Sequence, residues 1–416
     1  MSRIAVIGSG ISGLAASYYL SRKHTVFLFE REGRLGGHTH TVTVSSSRGP
    51  LPVDTGFIVH NDRTYPNLVQ LLAEIGIETQ MSDMSFAVSC RKTGFEYSSR
   101  GLRGFFAQRS NLFRSRHYRL FWEIVRFNRR ASEVLGREDA TETTMGDFLA
   151  EGRYSREFIG YYLLPMASAV WSTSPEKMKL FPAQTLIRFF DNHGMLGLTT
   201  HPKWKVLRGG SSTYIPKLVA PLGDRIHTRA RITSVKRSET AVSLEFSDRP
   251  AMQFDQVVFA CHGDEVLPLL ALPTPREREI FENFRTSRNE VCLHTDSALL
   301  PARPDARASW NYNLNLAGAD AATVTYHMNR LQGLGVTEDY CVTLNGTGAI
   351  DPAKILVSLT YNHPLYTREA IRAQSHWAEI SGSNRTHYCG AYWFYGFHED
   401  GLNSALRVAR AMGIDC

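Results

Sequence analysis

Cysteine is scarce in this chain and carries no pattern. The six cysteines, at 90, 261, 292, 341, 389 and 416, contain no CxxC pair. That removes the usual signature of a structural zinc site or a redox dithiol, and it predicts reduced thiols in a cytoplasmic protein. No run of about eighteen apolar residues occurs, so no membrane-spanning helix is predicted. The sequence enters a strand almost at once, which predicts no secretory leader. Walker loops, metal-ligand spacings and a Ser/His/Asp arrangement are all missing, so no metal is expected. Acidic residues are the minority, 40 against 47 Lys and Arg, for a net charge of +7; spread evenly, that excess would mean little. With 43% hydrophobic and 21% charged residues over 416 positions, extended disorder is excluded, and the length suits a two-domain enzyme around one cofactor.

What is present begins at Arg3. Ile4-Ala5-Val6-Ile7 is a short, continuous apolar run, as expected of a strand buried on both faces of a parallel sheet. Gly8, Gly10 and Gly13 then lead into the helical period of Leu14 to Leu20, and a second strand, Thr25 to Phe29, ends on Glu30. Each residue type has a physical role in holding a dinucleotide. Gly8 permits the tight turn, Gly10 lets backbone approach a pyrophosphate, and Gly13 lets helix and strand pack closely. The pyrophosphate would sit at unpaired helix N–H groups, and Glu30 is placed to accept hydrogen bonds from an adenosine ribose. The bland alternative is a glycine-rich turn with no ligand. These residues alone leave NAD and FAD both open.

The next segment, Glu32-Gly33-Arg34-Leu35-Gly36-Gly37-His38-Thr39, places a second glycine pair directly after the ribose acid. Here the chain resembles the flavin-containing amine oxidase and phytoene desaturase superfamily, whose members carry a GR-x-GG stretch under the FAD pyrophosphate. The resemblance implies FAD and a doubly wound, parallel, Rossmann-type α/β domain. It also implies a substrate domain of helices and antiparallel sheet. Cofactor contacts are implied at Gly8, Gly10, Ile11, Ser12, Gly13, Glu30, Arg31, Gly36, Gly37 and His38. His38 stands where amine oxidases usually have arginine. Further contacts are implied at Thr55, Gly56 and Phe57, at Ile232 beside the adenine, and at Asp400, Gly401 and Leu402 near the flavin pyrimidine. For Gly56 an ordinary hairpin turn is the alternative.

The cofactor domain is then discontinuous, 1–80, 203–265 and 387–416, with 81–202 and 266–386 forming the substrate domain. Tyr65 to Ile75 reads as a helix, residues 82–99 as strands, and Thr143 to Leu198 as apolar helices that suit either a greasy substrate or plain core. Gln256 to His262 reads as another buried strand, and Thr274 to Thr386 as short strands and turns. Asp400 is expected at the N-cap of a closing helix, Leu402 to Met412. No second GxGxxG follows a strand, so a nicotinamide site is not supported.

Charge clusters in one place. Arginines at 100, 103, 109, 114, 116, 119, 126, 129 and 130 alternate with Phe105, Phe106, Phe113, Tyr118, Phe121, Trp122 and Phe127, opposed only by Glu123. An anionic membrane surface, reached from the cytoplasmic side, is one reading; a helix with core aromatics and solvated arginines is another. Nucleic acid is not expected, since no binding fold accompanies the patch.

More narrowly, GGHTHTV, PVDTGFIVHN with TYPNL, and GFHEDGL are similar to bacterial FAD-binding proteins associated with cyclopropane-fatty-acid-synthase-like methyltransferases. That implies desaturation of methylated acyl chains by hydride transfer to the flavin. Amine oxidation and a flavoprotein partner without turnover are the alternatives. A proton acceptor is needed, and histidine suits neutral pH; His38 and His60 are the candidates, with His40 nearby.

Overall fold

The first strand, Arg3–Ile7, is the centre of a five-stranded parallel sheet. It pairs with Thr25–Phe29 on one side and Gln256–Phe259 on the other. Ile226–His227 and Thr386–Tyr388 complete the edges. Ile4, Ala5 and Val6 are fully buried, which is why the strand reads as a continuous apolar run and not as an alternation. The helix after it, Ile11–Leu20, is buried on nearly every side because it lies between this sheet and the last helix, His398–Ala411. The computed structural model describes residues 1–135, 143–171, 174–196, 202–314, 316 and 322–416.

A second, seven-stranded sheet forms the other half. Its order is Ile355–Leu365, Arg285–His294, Cys341–Leu344, Val324–His327, Trp310–Leu314, Phe86–Cys90 and Phe95–Ser98. All its pairings are antiparallel except that of Trp310–Leu314 with Phe86–Cys90. Helices Ser115–Leu135, Met145–Glu151, Leu164–Trp171, Pro175–Lys179 and Ala183–Asn192 share one apolar core with this sheet. The predicted helical stretch Thr143 to Leu198 is therefore helical where described; residues 172–173 and 197–198 lie outside the described residues.

Two small sheets join the halves. Thr41–Ser46 pairs with Gly49–Asp54, and Val59–Asn61 and Thr79–Met81 flank Trp204–Leu207. Asp54, fully buried, is the junction. One carboxylate oxygen accepts from Thr41 Oγ1 at 2.6 Å and from Ser211 N and Oγ at 2.8 Å; the other accepts from Gln332 Nε2 at 3.0 Å. Burial pushes its pKa up to about 6.

Two expectations are corrected. The closing helix starts four residues early, at His398, with Phe397 as its N-cap; Asp400 is the third helical residue and accepts from Phe397 N at 2.9 Å. An acid three positions inside a helix satisfies the first orphan N–H from within, so a cap residue need not be polar. The stretch 274–386 also contains helices, Pro275–Phe281, Arg368–Gln374 and Trp377–Ile380. Thr274 and Thr367 cap the first two through their hydroxyls, at 3.1 Å to Glu277 N and 3.1 Å to Ala370 N. Ile280, Phe281, Ala370 and Trp377 pack into the core of the parallel sheet.

Candidate cofactor site

The glycine turn is built by contact. A Cβ on Gly8, whose φ is +103°, would stand 2.8 Å from the Ala260 carbonyl, and one on Gly13 would stand 1.8 Å from Gly8 O. Strand, turn and helix therefore close up only as glycine. Gly10 differs: a Cβ there would meet nothing within 4 Å. Open space thus faces the first turn of the helix, where backbone N–H groups have no intrahelical acceptor and the dipole favours an anion. Glu30 lies beside the turn. Its Oε2 accepts from Ser9 N at 2.9 Å and Ser9 Oγ at 2.5 Å, and its Oε1 accepts only from Glu32 N at 2.8 Å, which leaves capacity for a ribose hydroxyl.

Gly37 crosses over this turn. Its φ is +57°, and a Cβ on it would be 3.0 Å from Gly10 Cα. Gly36 N donates to Ser9 O at 3.0 Å, so the two glycine segments form one surface. Gly56 is drawn in by the same economy: a Cβ there would lie 2.0 Å from His38 O, which also accepts from Phe57 N at 2.8 Å. The strand-end Thr55-Gly56-Phe57 and the turn at His38 are therefore in direct contact.

Around them lies a cluster of histidines. The His38 ring is 5.1 Å from Tyr361, 5.3 Å from His363 and 5.8 Å from His262. Burial, reinforced by His363 and His262, holds His38 well below the usual imidazole range, and its buried Nε2 has no hydrogen-bond partner. Tyr361 OH bonds His40 Nδ1 at 3.0 Å and Thr55 Oγ1 at 2.8 Å. On the other side His398 stacks on Phe57 at 3.6 Å, its Nε2 within 2.9 Å of Thr39 Oγ1 and 3.0 Å of Tyr214 OH. Burial lowers its pKa to about 3. His60, 1% exposed, sits in the small sheet with an unpartnered Nδ1 and a pKa lowered by burial to about 4.

The structure gathers Gly8, Gly10, Ile11, Ser12, Gly13, Glu30, Gly36, Gly37, His38, Thr55, Gly56, Phe57 and Gly401 into this one region. Ile11 and Ser12 meet Gly401, where a Cβ would stand 2.6 Å from Ile11 Cγ2 and 3.0 Å from Ser12 Oγ. Three predicted residues have their side chains engaged within the protein. Arg31 reaches outward to an ion pair with Glu265 at 2.8 Å. Leu402 is fully buried in the core, and Asp400 is occupied by the Phe397 N–H. Ile232 opens the strand Ile232–Arg237, near the site where Ala230 N donates to Glu30 O at 2.8 Å. Residues the sequence did not single out are Tyr214, Tyr361, His363 and His262; Thr39 and His398 lie inside the quoted motifs but were given no contact. Their clustering depends on chain segments over a hundred residues apart, and no local pattern reports it.

A parallel sheet with a glycine turn at its first helix, an acid at the second strand end and a distant helix closing the same site defines a dinucleotide-binding flavoprotein fold. The sequence matches the flavin containing amine oxidoreductase family over residues 11–341, and the chain belongs to that family. Its cofactor is FAD and it is an FAD-dependent oxidoreductase. The open face at Gly10, the free helix N–H groups and the Glu30 oxygen fit that cofactor. No curated protein matches the sequence. Among solved structures, cyclohexylamine oxidase from Brevibacterium oxydans IH-35A is similar with a TM-score of 0.69, at 15% identity, over 99% of this chain and 98% of that one. The CLA-producing fatty acid isomerase from P. acnes is similar with a TM-score of 0.70, at 17% identity, over 98% of each chain. Putrescine oxidase bound to putrescine gives 0.69 at 13% identity, over 99% of this chain and 98% of that one.

Proposed function

We propose that this oxidoreductase dehydrogenates an apolar acyl chain, introducing a carbon–carbon double bond, and that the methylated acyl chain of a phospholipid is its substrate. The observation that carries this reading is a buried aromatic layer running from the start of the closing helix into the helical half. Phe397, the N-cap of that helix, packs on Phe189 at 4.8 Å and Trp171 at 6.3 Å; Trp171 continues to Phe181 at 5.1 Å. Apolar surroundings of this kind suit a long apolar substrate. The resemblance to flavoproteins associated with lipid methyltransferases and the likeness to a fatty acid isomerase support the same substrate class.

The chain's own part in the reaction is to bind, orient and accept a proton. Gly10, Gly36 and Gly37 give backbone access to the pyrophosphate, and Glu30 holds the ribose. When bound there, FAD would supply the acceptor for the hydride. His38, neutral and with Nε2 free, takes the proton from the adjacent carbon. Tyr361 and His40 position the Thr55–Phe57 segment against it. The two electrons of the broken C–H bond leave as hydride, and those of the second form the double bond.

Oxidation of an amine is the second reading, favoured by the family match and by two amine oxidases among similar structures. Comparing cellular fatty-acid profiles with and without the protein tests the first: a double bond should appear or vanish with it. Anaerobic bleaching of the flavin by small amines, with no response to acyl lipids, would overturn it. A shifted double bond without net flavin reduction would make the reaction an isomerisation instead.

A further inference from the structure

Four of the seven aromatics interleaved with the arginines lie on the surface. Phe113 is 91% exposed and Trp122 66%, with Tyr118 and Phe121 also exposed; Leu102 at 75% and Leu112 at 45% join them. In the helix Ser115–Leu135 the inner face holds His117, Leu120, Ile124, Phe127 and Ala131, while Tyr118, Trp122, Arg126 and Arg129 fall on the outer one. The apolar residues are contiguous: Phe106 packs on Tyr118 at 5.6 Å, Phe105 on Phe121 at 6.0 Å, and Phe121 on Trp122 at 5.8 Å. Exposed apolar surface of this extent on one side of a chain marks a contact site.

The charges around it are predominantly basic. Arg103 and Arg119 reach Asp305 and Glu157 only at 3.7 Å. Arg100, Arg109, Arg114, Arg116 and Arg129 have no acidic partner within 4.0 Å among the described residues. A small cleft at this surface is lined by Phe95, Asn111, Arg116, His117, Leu120, Glu157 and Tyr161. Asn111 is 1% exposed, yet neither atom of its amide has a hydrogen-bond partner. A buried amide with both atoms unsatisfied is rare, and a ligand polar group would complete it.

We propose that this surface, Gly101–Phe105, Arg109–Phe113 and the outer face of Ser115–Leu135, docks on an anionic phospholipid membrane. Phe113 and Trp122 enter the headgroup boundary, the unpaired arginines meet phosphates, and Asn111 receives a headgroup oxygen. The partner is set by charge complementarity: exposed aromatics among arginines that lack acidic partners among the described residues fit an anionic interface, and two such basic surfaces would repel each other.

The test is co-sedimentation of the flavin-loaded full-length protein, without substrate, with vesicles of phosphatidylcholine or of phosphatidylcholine and phosphatidylglycerol. Binding to the anionic vesicles should exceed that to neutral ones by about tenfold or more, and rising salt should release it. Phe113→Ser with Trp122→Ser, and separately Arg109→Gln with Arg129→Gln, should each lower binding about tenfold or more while flavin content and melting temperature stay unchanged. No binding to anionic vesicles at low salt overturns the proposal, as does binding that neither double variant weakens. A concentration-dependent dimer abolished by the aromatic variant also overturns it, since a second chain would then cover the patch. Because no substrate is present, these outcomes are independent of which compound reduces the flavin.

Discussion

Gly401 and Ile11 touch across the whole length of the chain: a Cβ on Gly401 would stand 2.6 Å from Ile11 Cγ2. Ser404 Oγ lies 3.5 Å from Ser12 Oγ one turn further on. The last helix is therefore seated on the first turn of the helix that follows the glycine motif. Gly401→Val would push the two apart where neither can yield, since Ile11 is 7% exposed and Leu402 fully buried. Overpacking of this kind costs about 1–3 kcal/mol. The expected result is a lower melting temperature together with weaker flavin retention after gel filtration. Wild-type retention at a lowered melting temperature would separate the packing role from the cofactor role.

Gly10 is the opposite case. It has ordinary extended backbone and an added Cβ meets no protein atom within 4 Å, so the fold places no demand for glycine there. Gly10→Val should leave apoprotein stability within about 0.5 kcal/mol of wild type and yet abolish the yellow flavin absorbance, because the side chain would fill the space in front of the helix N-terminus. A colourless, fully folded variant is the expected outcome. Retained FAD would show that the pyrophosphate does not approach Gly10.

Several histidines tie stability to pH. Burial holds His60 to about 4 and His398 to about 3, below the unfolded value near 6.5. Between those values and 6.5 the unfolded chain binds more protons than the folded one, so their stabilisation is present above pH 6.5 and is lost as pH falls. Each accounts for roughly 3–5 kcal/mol of that loss. Asp54, raised to about 6, acts with opposite sign: its folded form binds the proton more tightly, so its effect favours folding at low pH and disappears as pH rises through 6. With histidines in the majority, the net melting temperature should fall steeply below pH 6. His60→Asn should flatten that slope, and an unchanged slope would remove His60 as a cause.

The parts of this site that obey local rules were legible in the sequence. Ile4 to Ile7, the three glycines, Thr25 to Phe29 and Glu30 form one continuous unit whose hydrogen bonds and close contacts are nearly all internal to it or to the adjacent strand. The Arg100 to Arg130 cluster was equally visible, but which aromatics face outward depends on helix phase against a distant core, and Phe127 and Trp122 fall on opposite faces. Tyr361 and His363 could not be read at all. They lie mid-strand in Ile355–Leu365, and only the pairing of that strand with Arg285–His294 brings them to His38. Asp400 was misplaced because an acid near a helix start serves equally as cap or as third residue, and only Phe397 N shows which.

His38 and His60 are the two histidines the sequence nominated, and their surroundings separate them. His38 follows the second glycine pair, faces Tyr361 and His363, and keeps a buried Nε2 without a partner. His60 is 1% exposed inside the small sheet, paired to Lys205 across the strands, where no substrate carbon could reach it. His38→Asn should retain FAD but slow anaerobic flavin reduction by the acyl substrate about a hundredfold or more, the usual range for loss of a positioned base. His60→Asn should slow it less than about threefold and lower the melting temperature instead, since it trades a packed ring for a smaller amide. The distinguishing readout is the pH profile of the reduction rate: a base at His38 gives wild type a rate that falls once the pH drops below its pKa, and His38→Asn flattens that fall. Equal reduction rates for wild type and His38→Asn at every pH would make His38 a positioning residue and not the proton acceptor.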